Sequence, residues 1–205
     1  MTTHLLNQEQ RETMQEVTNI AMGQAGAKLA QLLGVFVKLS IPQVNFVEMT
    51  EINQTLAMIV GNDTVVSAVR QAYSGPIRGE AITIFDDRDG HHDLADLLGY
   101  DEELTPETEQ ELLLDTSNLL VGACVSGIAR LLNMDLTFAP PAVLAKGTPI
   151  GALLKNSDQD WEYALVVEVN FTLEERRFTC HLTQLMPESS LMVLRESLDL
   201  FLASL

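Results

Sequence analysis

Basic residues are scarce in this 205-residue sequence: 12 Lys+Arg stand against 29 Asp+Glu, a formal net charge of -17. A polyanion needs a basic footprint to release its counterions, so nucleic-acid binding is excluded. Cysteine is scarcer still. Cys124 and Cys180 each lie in an apolar segment, with no CxxC spacing and no His at a ligand interval, which argues against a disulfide framework or a zinc site. The four His residues, at 4, 91, 92 and 181, assemble no Ser-His-Asp or Cys-His order. No stretch approaches 18 uninterrupted apolar residues, and the opening Met1 to Glu9 lacks the basic and apolar regions of a secretory signal. The expectation is a cytoplasmic protein with no membrane partner. What the chain does have is apolar side chain, 46% of residues against 20% charged, enough to build a sizeable core.

Self-comparison reveals a repeat with an offset of 99 residues. Residues 12 to 44 laid on 111 to 143 give eight identities in 33 positions without a gap: Glu12/Glu111, Asn19/Asn118, Gly23/Gly122, Ala30/Ala129, Leu32/Leu131, Leu33/Leu132, Pro42/Pro141 and Val44/Val143. Segments of about 100 residues are near the lower limit for folding alone. The expectation is therefore one domain, 1–205, made of two structural repeats, about 1–100 and 101–205.

Each copy reads as helix, apolar strand, two strand-like runs joined by a turn, and a short amphipathic helix. Asn7 is the expected N-cap of a first helix, with Gln10 at N3 and Gly34 ending it after Leu33. Thr105 caps a second, over 106–132, with Pro106 at N1. Ala21, Gly23, Ala25, Gly26 and Ala27, mirrored by Gly122, Ala123, Ser126 and Gly127, imply close approach of these helices to a neighbour. Expected strands cover Val35 to Ile41, Thr55 to Val60, Thr64 to Tyr73 and Glu80 to Phe85. In the second copy they cover Met134 to Ala139, Trp161 to Thr172 and Arg176 to Leu185, before a helix at Ser189 to Leu202. The fold class expected is α/β of the α+β type. It has a pseudo-two-fold internal repeat, in which an antiparallel-rich sheet of about six strands is covered by two long helices and shorter ones.

The chemistry concentrates on the long helices. Glu16 and Asn19 are three apart, about 60° around the helix and about 4.5 Å along it, so they share a face. Glu12 precedes them by a turn and Gly23 follows by a turn, while Val17, Ile20, Leu29 and Leu32 belong to the face that seeks the core. The second copy repeats the stripe as Glu111, Asp115, Asn118 and Gly122. One acid-x-x-Asn is expected by chance in such a composition, and most such pairs are simply solvated. These two are the sequence's only examples, however, and each is followed 23 positions after its Asn by a Pro, at Pro42 and Pro141, although Pro accounts for only 7 of 205 residues.

This doubled pattern, with Asn19-Ile20-Ala21-Met22-Gly23-Gln24-Ala25 and Leu32-Leu33-Gly34, resembles the CheC/CheX/FliY family of chemotaxis phosphatases over nearly the whole chain. Two motif copies without an appended flagellar-switch domain are most similar to the CheC form. The resemblance implies a phosphatase acting on the phosphoaspartate of a CheY-type response regulator. Its catalytic residues would be Glu16 and Asn19 on one surface and Asp115 and Asn118 on the other. No intrinsic cofactor is implied; a divalent metal, Mg, would sit on the regulator. A CheD-type deamidase is a further candidate partner, and a monomer is expected, with a dimer as the alternative. The family commonly has Asp or Ser four residues before the motif acid, where this chain has Glu12 and Glu111, and the second motif acid is the shorter Asp115. Acid length ranks the first surface above the second. The rival reading is a binding module that docks a regulator or a CheD-type protein without catalysis.

Other candidates are weaker. Asp86-Asp87-Arg88-Asp89-Gly90-His91-His92-Asp93 lacks EF-hand spacing and reads as a solvated turn. Asp101-Glu102-Glu103 reads as a surface linker between the halves, and Met186 and Met192 as core.

Overall fold

The computed structural model describes residues 6–87, 95, 105–154, 161–173 and 178–204. Helix α1 runs from Gln8 to Leu33 and starts as its sequence dictates. The Gln10 amide donates to Asn7 Oδ1 at 2.8 Å while the Asn7 amide donates to Gln10 Oε1 at 3.1 Å, a reciprocal cap satisfying two otherwise orphaned donors. Gly34, at φ 66°, takes the left-handed conformation that ends the helix. The long helix of the second half, α3 (Pro106–Leu131), opens on a similar box between Thr105 and Thr108.

Between and after these helices lie β1 (Val37–Leu39), β2 (Gln43–Glu48), α2 (Ile52–Val60), β3 (Val65–Ser74) and β4 (Gly79–Asp86), then β5 (Thr137–Phe138), β6 (Ala142–Pro149), β7 (Tyr163–Leu173), β8 (Thr179–Pro187) and α4 (Glu188–Ala203). Among the described residues eight strands form one antiparallel sheet, two more than the six expected. The additions are β2 and β6, which follow Pro42 and Pro141 and line the sheet's outer edges. A second correction concerns Thr55 to Val60, expected as a strand and found inside α2. Ile52, Leu56 and Ala57 are its buried residues, a helical rather than a two-residue spacing, and Gly61 ends it at φ 119°. The Asp86–Asp93 cluster beyond Asp87, the first half's expected short helix, the Asp101–Glu103 run and the turn after Leu173 lie outside the described residues.

The strand order is palindromic: β1 and β2 on β7, then β8, β4 and β3, then β6 and β5 on β3. The axis of the pseudo-two-fold passes between β4 and β8, which pair along Glu80–Phe85 and Cys180–Leu185. Each half thus sends its first two strands across to the other: β1 and β2 pair with β7, and β5 and β6 with β3. One face of the sheet carries α1, α3 and α4 over the main core, where Met14, Val17, Leu29, Leu112, Leu120 and Phe171 are buried. The other carries α2 and the short helical turn Ile150–Ala152 over a smaller core.

The small residues on the helices divide into two kinds. A Cβ on Gly127 would lie 2.9 Å from Ala21 Cβ, where α3 crosses α1, and one on Gly26 would lie 2.9 Å from Leu39 Cδ1. The first is a close approach to backbone that only a missing side chain permits, the second a contact with the flexible end of Leu39. By length and composition α3 could cross a membrane, but Leu112, Leu113, Leu120, Val121, Cys124 and Val125 are buried, so it is a core helix here.

Candidate functional site

Glu16 and Asn19 on α1, and Asp115 and Asn118 on α3, are all exposed, while Val17, Thr18, Thr116 and Ser117 between them are buried. The helix thus turns its acid and amide out and anchors them by the residues in between. Glu12 and Glu111 are exposed on the same stripes, Glu12 Oε1 accepting from Gln8 Nε2 at 2.9 Å. Each acid–amide pair is brought together along its own helix. The two pairs lie on different helices, Asn118 beside Gln71 of β3 and Gln15, next to Glu16, beside the Pro42 link into β2.

The Asn-to-Pro spacing has a geometric reason. From Asn19 to Leu33 the helix descends about 21 Å at 1.5 Å per residue, and extended chain from Val35 to Pro42 returns about 23 Å. Pro42 therefore comes back level with the stripe, where its carbonyl oxygen accepts a hydrogen bond from Gln15 Nε2 at 2.9 Å. Beside the second stripe a different link serves, and it reaches Asn118 itself. Gln71, on β3, donates through Nε2 to Asn118 Oδ1 at 3.1 Å and to the Ala139 carbonyl at 2.9 Å.

Gly23 and Gly122 are the second kind of small residue. A Cβ on either would meet nothing within 4 Å among the described residues. No packing among the described residues accounts for them, and each weakens its helix by about 1 kcal/mol relative to Ala. They leave a side-chain-free patch one turn beyond each Asn.

Sequence reasoning located the four stripe residues but missed the two glutamines. The signal for Gln71 was a polar residue on the strand face it shares with the core residues Val69 and Tyr73; Gln15 carried none, as a polar residue on a solvated helix. Cys124 and Cys180 are free and buried, and burial pushes both thiols well above their ordinary range, Cys124 further through the neighbouring Cys180. They are inert as nucleophiles. Among the described residues no group of three or more His, Cys, Asp or Glu could hold a metal ion.

No family model matches the chain, and no curated protein sequence matches it. Solved structures do. FliY of Thermotoga maritima superposes with a TM-score of 0.67 at 18% identity, covering 95% of this chain and 98% of that one. FliM in a complex with SpeE from H. pylori gives 0.61 at 13%, covering 94% and 98%. CheX from Borrelia burgdorferi, solved with CheY, BeF3 and Mg, gives 0.51 at 16%, covering 82% and 96%. At these identities the likeness is one of fold, and the fold is the one that the sequence resemblance implies.

Proposed function

We propose that this protein is a phosphatase that hydrolyses the phosphoaspartate of a CheY-type response regulator, in chemotaxis or a related signalling pathway in the cytoplasm. The observation that carries the reading is the exposed acid–amide stripe beside an open glycine, built twice on helices that each bury their core-facing side. An aspartyl phosphate is already activated, so its hydrolysis needs chiefly a water held in line with the leaving carboxylate oxygen. Asn19 or Asn118 enters beside the phosphoryl group and orients that water. The water oxygen bonds to phosphorus as the phosphorus–carboxylate bond breaks, releasing inorganic phosphate and the free aspartate. The regulator's own Mg and Lys hold the charge on the phosphoryl oxygens, and this chain supplies no cofactor. Glu16 or Asp115 pairs with a regulator Lys and sets the docking register. A hundredfold acceleration asks about 2.7 kcal/mol of such positioning. The acidic charge of -17 favours capture of a partner with a basic rim around its phosphorylation site.

The test is decay of a phosphorylated regulator with the protein and its variants. Asn19→Ala and Asn118→Ala each lower the rate, and the double variant returns it to spontaneous decay with an unchanged circular dichroism spectrum, since both side chains are exposed. Undiminished dephosphorylation by the double variant refutes the mechanism. A second reading, a docking module for a regulator or a CheD-type deamidase, draws on the FliM–SpeE complex, a case of this fold bound to a partner. It requires binding of the regulator without acceleration of its decay.

A further inference from the structure

The two halves treat their motif asparagines differently. Asn118 Oδ1 accepts from Gln71 Nε2 at 3.1 Å, whereas Asn19 has no hydrogen bond to its side chain among the described residues. The pseudo-two-fold identifies what stands in Gln71's place beside the first surface. The backbone bond from Ala139 N to Ala72 O, at 2.9 Å, is matched by the bond from Ser40 N to Asn170 O, at 3.0 Å. Tyr73 pairs with Phe138 as Phe171 pairs with Leu39. Both relations make Val169 the counterpart of Gln71, and Val169 is fully buried.

The fold thus accepts a plain apolar side chain at this place. Gln71 puts a carboxamide there instead, 3% exposed, with its Oε1 buried and lacking a partner among the described residues. A buried polar atom left unpaired is a standing cost, of a kind that native proteins avoid. The bond to Ala139 O gives Gln71 one structural task, but its second bond reaches the exposed carboxamide of Asn118. The chain carries this cost where the polar group touches a motif residue, and carries none at Val169.

Resting on the phosphatase reading above, we infer that Gln71 is a positioning residue for the second surface, one that holds the Asn118 carboxamide in a single orientation before a regulator docks. With Oδ1 turned to Gln71, the Asn118 NH2 faces outward and one lone pair of Oδ1 remains for a water hydrogen. The rotor that Asn19 must freeze on docking is already frozen at Asn118, and a pre-set group acts without ordering at the moment of reaction. Acid length ranks the first surface higher; amide preorganisation ranks the second higher. The two effects act on different kinetic quantities. The acid governs docking and therefore KM, whereas the held amide governs the bound step and therefore kcat.

The experiment uses the full chain in the Asn19→Ala background, where only the second surface acts. Gln71→Val installs the residue that the fold already carries at the matching place. Its expected effect is a fall in kcat of about fivefold, the loss set by one freed carboxamide rotor, with KM for the phosphorylated regulator unchanged. An unchanged kcat, or a loss confined to KM, overturns the assignment. Side-chain amide 15N relaxation of the unmodified protein gives a second reading that needs neither catalysis nor a variant that folds. Asn118 NH2 should be rigid and Asn19 NH2 mobile on the nanosecond scale; equal mobility overturns the assignment. Retained activity in Asn19→Ala/Asn118→Ala overturns the phosphatase mechanism instead, and leaves the relaxation contrast to decide the role of Gln71.

Discussion

Substituting alanine for single glycines separates packing from docking. At Gly127 a new Cβ would sit 2.9 Å from Ala21 Cβ and 3.3 Å from its Cα, backbone that cannot swing aside. Relieving that contact costs about 1–3 kcal/mol, partly offset by the roughly 1 kcal/mol by which Ala is the better helix former. The net expectation is a loss of about 1 kcal/mol. At Gly23, helical and exposed, the same methyl meets nothing within 4 Å among the described residues, so the propensity gain stands alone, about 0.5–1 kcal/mol in favour of folding. In a domain of this size 1 kcal/mol corresponds to about 2–4 °C, so thermal melts and urea titrations should move in opposite directions for the two variants. Phosphatase activity adds the decisive contrast. If the open patch beside Asn19 is where a partner's surface approaches, Gly23→Ala stabilises the protein and lowers activity measured in an Asn118→Ala background. A 1.4 kcal/mol penalty on that approach is tenfold in kcat/KM. Stabilisation by both substitutions alike would refute the packing argument at Gly127. A more stable Gly23→Ala with full activity would refute the docking argument.

Asp115→Glu restores the longer acid on α3 and should lower KM in an Asn19→Ala background, read by regulator dephosphorylation; a raised KM would show that helix placement outweighs side-chain length. Neither Cys124 nor Cys180 should react with a chromogenic disulfide reagent at pH 8 in the folded protein, and both should react in denaturant, because burial holds the thiols protonated. Rapid labelling of either before unfolding would contradict that burial.

Legibility in the sequence followed locality. The caps at Asn7 and Thr105 and the stop at Gly34 are written in residues three or four apart, and they appear in the structure at the positions expected. The four stripe residues share that advantage, since a helix face depends only on spacing. Thr55 to Val60 misled because its apolar and β-branched residues fit either period; the helix is set by Ile52, upstream of the segment, packing with Leu56 and Ala57. Strand β6 could not be read as an alternating run. Its pairing with β3 shifts register between Val66 and Ala68 and again between Ala68 and Val69, and Gly147 within it has φ 54°. Gln71 acts on a residue 47 positions away, and no window along the chain contains both.

The exchange of edge strands also has a consequence for how the protein comes into being. Gln43 at the start of β2 finds its partner in Glu168, on β7 in the other half of the chain, so the pairing waits until most of the polypeptide has been synthesised. Contacts so distant in sequence close late and slowly. Until they close, α1 lacks the β1–β2 edge to which Gln15 is tied, and its acid and amide project from an unanchored helix. The first surface, although encoded first, is therefore completed only when the second half arrives. A chain cut at the midpoint would lose both surfaces together, because the cut removes each half's borrowed edge.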